Sequence, residues 1–85
     1  MLKFIKNNNW NKIKAYIRNH SEEDFTKPVL NGNNILHLAI MHNKESVIKD
    51  LIKKNVHILN TTNSEQNNPL HLSLYYGNYS IFNLV

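Results

Sequence analysis

Apolar residues along this 85-residue chain return at one fixed interval. The phrase Asn34-Ile35-Leu36-His37-Leu38-Ala39-Ile40 is echoed by Asn68-Pro69-Leu70-His71-Leu72-Ser73-Leu74, with His71 following His37 by 34 residues. Carried backwards, the same offset aligns Leu2 with Leu36 and Leu70, and Phe4 with Leu38 and Leu72. It also aligns Ile13 with Val47 and Ile81, Ile17 with Leu51 and Val85, and Phe25 with Leu59. A period of this length signals stacked units, each leaving a hydrophobic face for its neighbour to cover. The pattern predicts units over 1–33, 34–67 and an incomplete 68–85.

Each unit reads as two helices. Asn34 and Asn68 can cap the first with a side-chain oxygen, and Pro69 at the first helical position gives up an N–H that has no partner there anyway. In the middle unit the first helix is predicted over 35–42. Asn43 follows at a left-handed corner, a conformation that Asn tolerates best after Gly. Asn9 and Gly77 fall in the same column as Asn43. A second helix is predicted over 45–54, where Val47, Ile48, Leu51 and Ile52 form one apolar stripe. Asn55 stops it, and a long polar loop over 56–67 leads to the next cap. The predicted fold class is all-α.

The two phrases resemble the T-P-L-H-L-A opening of the ankyrin repeat, a unit of about 33 residues with a turn and two helices. Leu36, His37, Leu70 and His71 match that pattern. Asn34 and Asn68 replace its Thr, and Ile35 replaces its Pro in the first copy. The resemblance implies an ankyrin-type solenoid with hairpin-like connecting loops, in which His37 and His71 are buried hydrogen-bonding struts between units. Asn31-Gly32 keeps the glycine of the family's finger loop, whereas Glu65-Gln66 has lost it. Tetratricopeptide repeats have a similar period, but their W-x₂-L-G-x₂-Y signature is missing here.

At the 34-residue offset the first unit departs in one direction. Lys6 stands for Ile40, Lys14 for Ile48, Arg18 for Ile52 and Lys3 for His37. The terminal unit of a solenoid needs a polar outer face, so these cations predict an N-terminal cap. The other end carries Ile81, Phe82 and Leu84 with no such replacement, which leaves three expectations: further repeats, a second chain covering it, or a decayed short protein with a soft terminus.

Composition narrows the function. Ten Lys and Arg against six Asp and Glu leave a net charge of +4, without a dense basic run. The absence of Cys excludes disulfides, thiolate catalysis and Cys-ligated zinc. No apolar run approaches the roughly 18 residues of a membrane span, and Met1–Lys6 is too short for a signal-peptide core. An intracellular, cytoplasmic protein without membrane attachment is expected. Five His residues raise a metal site, but His37 and His42 are five apart and do not share a helix face. No H-E-x-x-H, phosphate-binding glycine loop or nucleophile elbow is present. Glu22, Glu23 and Asp24 read as a solvated acidic turn. Neither catalysis nor any metal or other cofactor is expected.

The resemblance implies protein–protein interaction, through finger tips and the concave face of the first helices. Its variable columns carry over to Asn31, Asn33, Met41 and His42 in the middle unit, and to Ser64, Glu65, Asn67, Tyr75 and Tyr76 in the last. Tyr75 and Tyr76 are the strongest anchors, because aromatics dominate interfaces. The rival classes are a nucleic-acid surface on the first unit and an N-terminal targeting module of a longer effector or enzyme. The first would use Lys3, Lys6, Lys12, Lys14 and Arg18, with Trp10 and Tyr16 stacking on bases. It is disfavoured, because capping already explains the charges.

Overall fold

The computed structural model describes residues 1–83; the expectations for Leu84 and Val85 lie outside them. The described residues form five α-helices: α1 (Leu2–Lys6), α2 (Trp10–Asn19), α3 (Ile35–Met41), α4 (Glu45–Lys54) and α5 (Pro69–Tyr76). Two 3₁₀ helices, Val56–Asn60 and Tyr79–Asn83, complete them. The fold is all-α. α3 is the centre of the stack, packed against α4 on one side and α5 on the other, while α2 packs on α4. No helix of the described residues is long and apolar enough to cross a membrane.

Local chemistry sets the helix starts. The Asn34 side chain accepts from the His37 amide at 3.0 Å, and that of Asn68 accepts from the His71 amide at 2.8 Å. Each supplies a partner for an amide that the helix itself leaves unpaired. α4 covers the predicted span, and α3 ends one residue early because His42 is already its C-cap.

The corners correct the register of the first unit. The backbone turns left-handed at Asn8 (φ 54°), Asn43 (φ 56°) and Gly77 (φ 73°), so Asn8, and not Asn9, is the corner residue. One bond closes all three corners at 2.8 Å: Asn9 N–H to the Phe4 carbonyl, Lys44 to Ala39, and Asn78 to Ser73. Asn9 and Lys44 are therefore equivalent at an offset of 35 residues, whereas Lys44 and Asn78 keep 34. Ile13 now matches Ile48 and Ile17 matches Ile52, all buried.

The same shift relocates the polar cap. Lys14 and Arg18 align with Lys49 and Lys53, which are charged already, so they replace nothing apolar. The true replacements are Lys3 for Leu38, Lys12 for Val47 and Tyr16 for Leu51. Leu38, Val47 and Leu51 are buried, whereas Lys3 and Lys12 are exposed. Lys12 Nζ lies 5.9 Å from the centroid of the Phe4 ring, an exposed cation over an aromatic face.

One core runs through the units, with Ile13, Ile17, Ile35, Leu36, Ile40, Ile48, Leu51, Ile58 and Ile81 fully buried. Each such side chain contributes about 1.5–3 kcal/mol on leaving water. The loop after α4 is less polar in effect than its composition predicts: its 3₁₀ helix buries Ile58 and Leu59.

Candidate functional site

The frame of the site is a hydrogen-bonded post at the start of α3. The Asn34 amide N–H donates to His37 Nδ1 at 2.9 Å while the Asn34 carboxamide oxygen caps the His37 amide. With Nδ1 accepting, the proton of the neutral ring is on Nε2, which donates to the Thr61 carbonyl at 3.4 Å. The Asn34 amide group also donates to the Thr26 carbonyl at 3.3 Å and to the Thr61 hydroxyl at 2.8 Å. Asn34 and His37 are each 1% exposed. Burial pushes the His37 imidazole below its ordinary pKa, opposed by its bond to Thr61. His37 is thus buried and bonded to both its own helix start and the later Thr61 segment. His71 is not: its ring is exposed and, among the described residues, has no hydrogen-bond partner, only its backbone amide being bonded, to Asn68.

Two finger loops stand beside this post. In the first, Asn31 (φ 53°) and Gly32 (φ 79°) form a tight left-handed turn, closed by the bridge between Leu30 and Asn33. Such a turn favours Asn-Gly, because both central residues need positive φ. In the second, the Asn63 side chain accepts from the amides of Glu65 and Asn67, both at 3.0 Å, and Gln66 takes the positive φ. The side chain of Asn63 thereby shapes the loop that a glycine shapes in the first finger. The fingers abut. Asn63 Nδ2 donates to Asn33 Oδ1 at 3.0 Å, and Ser64 Oγ donates to the Asn31 carbonyl at 3.4 Å. A Cβ on Gly32 would lie 2.5 Å from Ser64 Oγ, so close packing of the fingers requires that glycine.

Between the second finger and α5 lies a groove of about 390 Å³, lined by Met41, Asn63, Glu65, Asn67, His71, Leu72, Tyr75 and Tyr76. Five residues expected at a partner surface meet there: Met41, Glu65, Asn67, Tyr75 and Tyr76. Tyr75 is 76% exposed, and its ring meets that of Tyr76 edge to face at 5.1 Å. The other four expected residues lie elsewhere. Asn33 is buried and stitches the fingers, a correction to its expected place at the surface. Asn31 and Ser64 are exposed at the finger contact, and His42 lies against Trp10 with centroids 5.5 Å apart. The sequence reading missed Asn63, Leu72 and His71 as groove walls. Asn63 was findable, since an Asn three residues before a lost glycine is a turn signal.

The first unit offers little for base stacking. Trp10 is buried, with its indole N–H donating to Asn8 Oδ1 at 2.6 Å. Tyr16 is half-buried; its hydroxyl donates to Glu23 and its ring stacks on His20 at 3.8 Å. Arg18 is paired with Asp50 at 3.1 Å. No group of three His, Cys, Asp or Glu side chains able to hold a metal ion occurs among the described residues.

Residues 1–85 match the family model for ankyrin repeats, in 3 copies. A stretch of 44 residues, 52% of the chain, is 43% identical to the phosphocholine transferase AnkX of Legionella pneumophila subsp. pneumophila strain Philadelphia 1. That match spans 5% of the relative's length. No solved structure matches the chain.

Proposed function

The chain belongs to the ankyrin repeat family, and from that premise we propose that it is a non-catalytic module that binds a partner protein through the groove between its second finger and α5. Ankyrin repeats generally mediate protein–protein interaction, and the observation that carries the reading is the meeting of Tyr75, Tyr76, Met41 and Glu65 around one concavity. Exposed aromatics anchor interfaces because they bury much area at little entropic cost. The units behind it are taken as 1–33, 34–67 and 68–85, the first serving as a polar cap.

Panning a displayed random 12-mer peptide library on the immobilised chain tests this. Selected peptides should shift the amide resonances of Tyr75, Tyr76 and Glu65, and should lose binding to the Tyr75→Ala/Tyr76→Ala variant. Peptides that shift other residues and ignore that variant would remove the groove from the proposal.

A second reading concerns the far end of the stack. His71, Leu74 and Phe82 are exposed, whereas their equivalents His37, Ile40 and Ile48 are buried by the following segment. This favours a further repeat, or a second chain, stacked on that face. A role as the targeting part of a longer effector or enzyme is compatible with the small share of AnkX that the match covers. A nucleic-acid role is disfavoured, since Trp10 is buried and Tyr16 and Arg18 are engaged.

A further inference from the structure

Charge is divided unevenly along the chain. All ten Lys and Arg residues and five of the six carboxylates precede Asn55, leaving Glu65 as the only charged side chain from Asn55 onwards. Glu65 is exposed, and among the described residues its carboxylate has neither an ion pair nor a hydrogen bond. Its backbone is nonetheless fixed, because the Asn63 side chain accepts from its amide at 3.0 Å. It lines the same groove as the edge-to-face pair Tyr75 and Tyr76, together with the apolar Met41 and Leu72.

Resting on the protein-binding reading above, we propose that the groove takes a single arginine side chain of the partner, carried in an otherwise apolar segment. A planar guanidinium is suited to both kinds of wall. It stacks on tyrosine faces by cation–π attraction and presents a fork of N–H donors to a carboxylate. A neutral apolar anchor would leave Glu65 desolvated without compensation, and an acidic one would be repelled by it. The rest of the molecule limits the count of charges. Residues before Asn55 carry a net +5, a field that opposes a polybasic tract while a lone cation is still held at close range.

The test pans the displayed 12-mer library on the full chain and on Glu65→Gln, which changes an exposed carboxylate without a partner among the described residues. Wild-type binders should share an arginine. By fluorescence polarisation the best of them should bind Glu65→Gln about tenfold more weakly. Replacing its arginine by leucine should cost a similar factor and abolish the effect of Glu65→Gln, since the two groups interact directly. Binders that shift Tyr75 and Tyr76 resonances yet lack arginine, or that are indifferent to Glu65→Gln, would overturn the arginine assignment and leave the protein-binding groove standing. A library in which no peptide shifts the groove resonances would overturn both.

Discussion

Asn34 and His37 hold each other by two reciprocal hydrogen bonds, amide to ring nitrogen at 2.9 Å and amide to side-chain oxygen at 3.0 Å. The same two side chains reach Thr26 before them and Thr61 after them, so one pair ties three stretches of chain together. Asn does here what the Thr of the family pattern could not do alone. Its oxygen caps the helix, and its amide protons satisfy two further acceptors.

Truncating the two repeat histidines should have unequal effects. His37→Ala leaves the Asn34 amide and the Thr61 carbonyl without their partner in a buried setting and should cost about 1–3 kcal/mol. His71→Ala, at an exposed position, should stay within about 0.5 kcal/mol of the parent. Urea denaturation of both variants checks this; equal losses would contradict the different surroundings of the two rings.

Stability should also depend on pH through His37. Its pKa is lowered in the folded state, so the unfolded chain binds the proton more readily and stability increases with pH. The contribution is complete above the unfolded value of about 6.5 and is lost as the pH falls from there through the folded value, at up to about 1.4 kcal/mol per pH unit. The melting temperature should therefore fall below pH 6.5 on the histidine scale of about that value, and His37→Gln should flatten that part of the profile. An unchanged slope in His37→Gln would assign the acid sensitivity to other groups.

Gly32 and Gly77 have nearly the same φ, 79° and 73°, but different surroundings. Alanine at Gly77 meets nothing within 4 Å and pays only the left-handed backbone penalty, about 1–2 kcal/mol. Alanine at Gly32 pays that and also collides with Ser64. Gly32→Ala should be the more destabilising of the two in thermal denaturation, and Ser64→Gly should recover the excess over Gly77→Ala.

Equivalent apolar positions in successive units, one covered and one exposed, should respond unequally to a polar residue. Ile40→Gln buries an amide in the core and should cost several kcal/mol, on the order of 3–5. Leu74→Gln, at a position 57% exposed, should cost within about 0.5 kcal/mol. Chemical denaturation of the chain alone measures both. A large loss for Leu74→Gln would mean that its side chain is covered in solution.

Much of the scaffold is legible from sequence because it depends on local chemistry. The caps at Asn34 and Asn68, the corner at Asn43, the span of α4 and the twin Leu-His-Leu phrases each need only neighbours within one turn. The apolar period carries the stacking of units, and the resemblance of the two phrases implies the all-α solenoid. The candidate groove was half legible: Met41, Glu65, Asn67, Tyr75 and Tyr76 were placed by resemblance, not by contacts.

Tertiary structure decided the rest. Ile13 fits beside Val47 or Ile48 equally well, since adjacent apolar residues hide a one-residue slip; only the corner bond from Asn9 to Phe4 selects the second. Identical phrases likewise placed His37 and His71 in one column, yet one ring is buried and the other wet. Asn33 went from surface to stitch for the same reason. A residue's own sequence neighbourhood sets its backbone and cap, but burial depends on whether a segment distant in the chain packs against it. Thr61 and Asn63 do so for His37 and Asn33, whereas the ring of His71 stays exposed.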